Sequence, residues 1–305
     1  MAGFDTRMID RDWALKATAA EGSLRAIGAV TTTSVRAAQW AQHAAPLAAA
    51  AMGRLMTAAV LLGADLKNPN ESLHLEVNGG GPLRRVIAEA HGGGLVRGRV
   101  DRPDVSLPLN AVGKLAVGQA VGHDGRLSVT TRTADGGSYT SVSALVSGEI
   151  GEDVAHHLLQ AVQRLSAVAV GVLVGTDGLT LAAGGLLVEA LPGCPPALLD
   201  GVEKRFSGIA RLSHLLAEGT AIEELMERVL PEPLRWLGRS PVRFGCLCNR
   251  EQSRNLLEAL SVDERRRMQS EGGAEVVCHY CRTAYRFSAG DLGRSLDVAI
   301  DPTGP

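Results

Sequence analysis

The sequence predicts an α+β protein: a mostly antiparallel sheet domain with helices, a helical linker, and a small C-terminal module carrying four cysteines. Three observations predict it. Short apolar strands alternate with Gly-rich turns from Leu24 to Leu191, the period turns helical after Pro192, and Cys246, Cys248, Cys278 and Cys281 fall in one short stretch. The 305 residues are expected to divide into a sheet domain at 1–193, the linker at 194–240, the cysteine module at 241–295 and a tail at 296–305. With 45% hydrophobic against 21% charged residues the chain is globular and not disordered, and a net charge of -2 excludes a global field for nucleic acid or anionic membrane. Aromatic residues are only 3% and glycines number 36, so Ala, Leu and Val must fill a core with many tight turns.

Leu24 to Thr33 reads as a strand. Pro46 suits the first turn of a helix running to about Gly63, with Leu47, Ala51, Leu55, Ala58 and Leu62 on one face. Ala44 to Leu66 is apolar for long enough to span a bilayer, but Arg54 in its middle favours a buried helix. Leu73, Leu75 and Val77 alternate with polar residues as in a half-buried strand, and turns at Asn78–Pro82, Gly92–Gly94 and Ala134–Gly137 imply successive hairpins. Val154, Leu158 and Val162 mark a helix, and Gly175-Thr176-Asp177-Gly178 joins two apolar strands ending at Leu191. The acidic N-terminus, with Asp5, Asp10 and Asp12, lacks the pattern of a secretory signal, so a cytoplasmic protein is expected.

Three prolines within Pro192–Pro196 close the sheet domain. Beyond them Leu198, Val202, Phe206, Ile209, Leu212 and Leu216 recur at helical steps, and a second helix from Ile222 to Leu230 stops at Pro231 and Pro233. Six apolar residues bury too little to order this linker alone, so it must borrow contacts from the sheet domain or the module. In the module, Val242–Phe244 reads as a short strand, while Asn249 with Gln252 and Ser261 with Glu264 signal two helix starts. Short strands are expected to lead into and out of the second cysteine pair.

The cysteines carry the strongest chemical signal. A tetrahedral Zn²⁺ site wants four thiolates arriving as two local pairs, and Cys246-Leu247-Cys248 and Cys278-His279-Tyr280-Cys281 supply them across 29 intervening residues. One zinc per chain is expected. His279 is read as a solvated residue, Arg243, Arg250, Arg254, Arg282 and Arg286 as neutralising the site, Arg265–Arg267 as a solvated helix face, and Cys194 as a bystander. His156 and His157 point about 100° apart on a helix, which spoils a joint metal face. No phosphate loop and no nucleophile elbow occurs. A constitutive nucleic-acid-binding zinc module and a thiol-disulfide oxidoreductase are the alternatives from other classes; the charge argues against the first, and the lack of a thioredoxin-like pattern around C-x-x-C against the second.

Phe244-x-Cys246-x-Cys248-x-Arg250-Glu251 followed by Cys278-x-x-Cys281-x-x-x-Tyr285-x-Phe287 resembles the zinc centre of the heat shock protein 33 family. Gly79–Pro82, Leu145–Ile150, Ala183–Gly185 and Leu191–Gly193 extend the resemblance over nearly the whole chain, with Asn249 where the family usually has Ser. The resemblance implies a cytosolic, non-enzymatic chaperone that is inactive while reduced and zinc-bound. Oxidation would form Cys246–Cys248 and Cys278–Cys281 disulfides, release zinc, unfold the C-terminal half and expose surface that holds unfolding proteins, with a homodimer as the active form. The linker residues Leu198, Val202, Phe206, Ile209, Leu212 and Leu216 would then be the switch.

Overall fold

The computed structural model describes residues 12–292, so the expected tail and the residues Asp5 and Asp10 lie outside the described residues. The chain divides between Gly245 and Cys246 into two compact units. In the first, the strands are β1 (Asp12–Ala19), β2 (Leu24–Val30), β3 (Ser72–Asn78), β4 (Arg85–His91), β5 (Leu95–Val100), β6 (Arg126–Arg132), β7 (Ser138–Ala144), β8 (Ser166–Val174), β9 (Thr180–Ala190) and β10 (Leu234–Phe244). They form one sheet in the order β7-β6-β3-β4-β5-β10-β1-β2-β9-β8. Every pairing is antiparallel except β10 with β5, which meet over only Arg243↔Leu95 and Phe244↔Val96.

Helices α1 (Thr32–Gln42) and α2 (Pro46–Leu62) lie against one face of this sheet. Pro46 opens α2 as expected, and 14 of its 17 residues are buried. Six alanines and Gly53 among these positions let the helix sit close to β4, β5, β8 and β9 at once. Arg54 resolves its burial by pairing with Glu149, whose other oxygen accepts the Gly118 N–H at 3.1 Å. After a short α3 (Val117–Val121), α4 (Gly151–Val162) begins at a loop wrapped around the fully buried Asp153. That carboxylate accepts backbone N–H groups of Val146, Ser147, Gly148 and Ile150, which fixes the loop that leads into the helix.

The strand expected over Leu24–Thr33 ends at Val30, because Thr32 already starts α1. The expected linker helices are α5 (Pro196–Phe206), α6 (Leu212–Ala217) and α7 (Ile222–Val229), with a 3₁₀ turn at Ser207–Ile209. They cover the opposite face of β1, β2, β8 and β9. Val202, Ile209 and Leu212 are buried there, while Leu198, Phe206 and Leu216 sit half-buried at the rim. The larger contribution comes from residues outside that stripe: Leu199, and Ile222, Leu225, Met226 and Val229 of α7. Glycines make room for them. A Cβ on Gly28 of β2 would lie 2.6 Å from Met226 Sδ and 2.8 Å from Ile222 Cγ1, and one on Gly184 of β9 would lie 2.5 Å from Leu216 Cδ1.

The span 194–240 is not helical to its end. Pro231 and Pro233 stop α7, and Leu234–Ser240 belong to β10, of which the expected Val242–Phe244 strand is only the last part. Arg239 on this strand stacks 4.3 Å above the Trp13 ring and pairs with Glu223 of α7, tying linker helix, β10 and β1 together.

Two tests follow from this packing. Gly28→Val should loosen α7 while sparing the α2 side of the core, because Ile222 is branched and cannot swing clear; limited proteolysis should find new cleavage near Ile222–Val229. His157 is buried, with Nε2 2.9 Å from Ser141 Oγ and Nδ1 3.0 Å from Ser143 Oγ, and burial, with a smaller push from His156, lowers its pKa below 6.5. A base depressed in the folded state stabilises above its unfolded pKa, and that stability disappears as the pH falls through the lowered value. Melting temperature should therefore drop between pH 7 and pH 5 by more in the natural protein than in His157→Gln.

Candidate metal centre

The second unit contains α8 (Arg250–Glu258), α9 (Val262–Ser270), β11 (Gly273–Val277) and β12 (Ala284–Ser288). Local sequence dictates each. Asn249 Oδ1 accepts the Gln252 N–H at 2.8 Å to start α8, and Ser261 and Glu264 cap each other's backbone to start α9. β11 and β12 pair as a hairpin whose turn carries Cys278 and Cys281, held by Cys278 N–H to Thr283 O and Arg282 N–H to Cys278 O, each 3.0 Å. Cys246 and Cys248 lie on the loop that precedes α8.

These two loops bring the four sulfurs within 4.8 Å of one another. The Cys246 and Cys278 sulfurs are 3.5 Å apart and those of Cys248 and Cys281 3.4 Å. In a tetrahedron with metal–sulfur bonds of about 2.3 Å, sulfurs stand about 3.8 Å apart. Four cysteine sulfurs at these separations fit a closed, sulfur-liganded metal ion, and all five cysteines of the chain are free of disulfides. His279 is exposed and outside the set, and Cys194, packed against the linker core, belongs to the other unit.

The surroundings are graded. Burial pushes the Cys248 and Cys278 thiols up. Burial also raises Cys281, but the hydroxyl and amide of Thr283, then Cys248 and Cys278, outweigh it and bring this thiol down to about 7. Tyr285 was legible in the sequence only as part of a motif. Its Oη lies 3.2 Å from Cys248 Sγ and donates to Cys248 O at 3.1 Å, so β12 reaches back to fix the first loop. The hydrogen bond to Cys248, followed by burial, holds its phenol up at about 12, a donor throughout the neutral range.

The arginines do less here than their number suggests. Arg250 stacks 4.4 Å over Phe287 and pairs with Asp291, and Arg286 pairs with Glu275. Arg243 lies on β10 in the other unit. Of the run read as a solvated helix face, Arg265 is buried, whereas Arg266 and Arg267 are exposed beside Asp263 and Glu271. The apolar core of this unit is small: Leu257, Phe287 and Leu292, with partly buried neighbours.

The family model described as Hsp33 protein matches residues 12–288, from β1 to the end of β12. The chain belongs to the Hsp33 family. It is 41% identical to the 33 kDa chaperonin of Desulforamulus reducens over 288 residues, covering 94% of this chain and 97% of that one. The corresponding protein of Symbiobacterium thermophilum is 43% identical over 279 residues, 91% of this chain and 94% of that one. The crystal structure of the Thermotoga maritima 33 kDa chaperonin superposes with a TM-score of 0.86 at 31% identity, covering 95% of this chain and 99% of that chain. As an Hsp33 chain it shares the α+β architecture with the C-terminal four-cysteine cluster, and among its described residues no helix is long and apolar enough to cross a membrane.

Because Tyr285 contacts a metal-liganding candidate without being one, Tyr285→Phe should keep a full complement of metal but bind it on the order of 10-fold more weakly. Competition against a chelating indicator measures this.

Proposed function

We propose that this Hsp33 chain is a redox-regulated holding chaperone of the cytoplasm, not an enzyme, in which Cys246, Cys248, Cys278 and Cys281 bind one Zn²⁺ while reduced. The observation that carries the reading is the pairing of a four-sulfur cluster with a unit whose apolar core, among the described residues, has three buried residues. Four soft sulfur donors with no open position favour a structural zinc. Bound there, the ion contributes about 10 to 16 kcal/mol to folding, far more than so small a core supplies.

Oxidation removes that contribution. Each cysteine pair gives two electrons to one peroxide, which takes up two protons and leaves as two waters while a sulfur–sulfur bond forms. The resulting disulfides no longer hold the ion. Pairing Cys246 with Cys248 and Cys278 with Cys281 follows the family resemblance and has physical support: each pair sits on one short loop and stays together when the unit opens. The cross-loop neighbours Cys246/Cys278 and Cys248/Cys281 separate. Cys281, the thiol brought down to about 7, supplies the first thiolate in zinc-free protein.

The organisation we propose is a sheet domain at 1–193, a linker at 194–240, a redox module at 241–295 and a tail at 296–305. Loss of the module releases the linker, whose Leu198, Val202, Phe206, Ile209, Leu212 and Leu216, with the α7 residues, leave an apolar face for unfolding proteins. The active form is a homodimer, and neither a membrane nor a specific nucleic acid is a partner.

Reduced protein should contain one zinc per chain and leave the aggregation of a heat-unfolding protein unchanged. Peroxide at elevated temperature should release the zinc, form the two within-loop disulfides seen by peptide mapping, and switch on suppression of aggregation. Full zinc retention in Cys278→Ser would overturn the four-thiolate site, and a dominant disulfide to Cys194 would overturn the pairing.

A further inference from the structure

Strand β10 is a poor strand in a central place. It carries Pro241, which lies opposite Trp13 of β1 and has no N–H for the ladder, and Gly238 at φ +146, a conformation only glycine takes readily. Its register against β1 shifts between Lys16 and Ala17. On its other side it meets β5 through two residue pairs, with Arg243 N–H to Gly94 O at 2.9 Å and Gly245 N–H to Val96 O at 3.2 Å. Its apolar side chains divide: Val242 is buried in the core and Leu234 and Phe244 are half-buried, but Trp236 is 39% and Leu237 52% exposed. The middle of the strand, around Trp236–Gly238, is held by its ladder to β1 and buries little.

The space beneath it is also incompletely filled. A cavity of about 400 Å³ opens between α2 and the joint of the half-sheets, lined among others by Ala14 and Lys16 of β1, Val60 of α2, Leu95 of β5, and Ser240 and Val242 of β10. Its exposed lining is mostly apolar. Ser240 stands opposite Ala14, so two small residues face each other over this void.

We infer that β10 is an internal stand-in for a client: the edge of β1, lined by this cavity, accepts an extended segment of an unfolding protein as an added strand once β10 withdraws. This rests on the redox reading above, which names the event that frees β10, because the strand ends two residues before Cys246. β10 shows what the edge takes, an antiparallel strand along Asp12–Ala19, and the cavity shows where it is imperfect. A client strand with a large apolar residue opposite Ala14 fills space that Ser240 leaves open. The favoured partner is therefore an extended segment with a bulky apolar side chain opposite Ala14, and positive charge elsewhere along it is tolerated, since β10 itself sets Arg239 opposite Leu15 and Arg235 opposite Thr18.

Hydrogen exchange of the full chain tests this, with reduced carboxymethylated α-lactalbumin as client and a labelled peptide of residues 234–244 as strand probe. In reduced zinc protein the β1 amides facing β10 should be protected. Oxidation should expose them, and client or peptide should protect them again, each competing with the other. A Ser240→Phe peptide should bind the oxidised chain about tenfold more tightly than the native sequence. If the oxidised protein holds no client at all, the redox reading fails. If it holds client while the β1 amides exchange freely, or if those amides stay protected after oxidation without client, the strand-acceptor inference alone is overturned.

Discussion

The structure of the first unit depends on one strand closing a gap. Without β10, β1-β2-β9-β8 and β7-β6-β3-β4-β5 are two separate antiparallel sheets, each with an unpaired edge. With it they become one ten-stranded layer, and its joint is, among the described residues, the only parallel pairing in that layer. Parallel neighbours need a long crossover, and here residues 101–233 intervene between β5 and β10. The residues that complete the sheet are therefore the last to arrive in sequence and are followed directly by the first cysteine loop. In the redox reading proposed above, this strand, at the end of the linker and two residues before Cys246, is the path by which events at the cysteines would reach the sheet.

The linker helices depend on the same constraint from the other side. Their apolar residues have no hydrophobic partner within the linker large enough to order them, and they seat on a face that glycines at 28 and 184 have flattened. Arg239 then fastens α7 to β10 and β1 through Glu223 and Trp13. Helix and strand thus share one clasp. An ion pair of this kind is partly exposed and contributes little by itself, so its value is geometric: it makes the position of α7 contingent on that of β10.

Much of this was legible in the sequence, and the parts that were not have physical causes. The α2 helix, the β8–β9 hairpin, the capped helices around the cysteines and the four-sulfur cluster rest on local signals, such as period, turn chemistry, caps and spacing. β1 was missed although Leu15, Ala17 and Ala19 alternate with Lys16 and Thr18, because two of its three alternating core residues are alanines, which carry little strand signal. β10 was under-read because Gly238 and Pro241 argue against a central strand, and they do so correctly as local energetics; only the two neighbouring edges make the strand worthwhile. In the linker the period picked out one stripe, Leu198 to Leu216, but burial also falls on Leu199 and α7, since the chain breaks into three short helices and no longer keeps a single phase. Tyr285 carries no spacing signal of its own, because its partner, Cys248, lies 37 residues away.

The contrast between the two units is one of where stability is stored. The sheet unit spreads it over some forty buried residues around α2, so that no single change removes it. The cysteine unit concentrates it in four atoms. An apolar core of ordinary size would make such a unit robust and unresponsive, because oxidants do not act on Leu or Val. If the four sulfurs hold a metal ion as proposed, keeping the core small and the sulfurs together would make folding of the unit a function of thiolate chemistry. On the proposed reading the short joint of β10 with β5 has a use: were β10 held by a full ladder on both sides, loss of the cysteine unit would leave the sheet and its linker unchanged, and the chemistry at the cysteines would have no mechanical consequence.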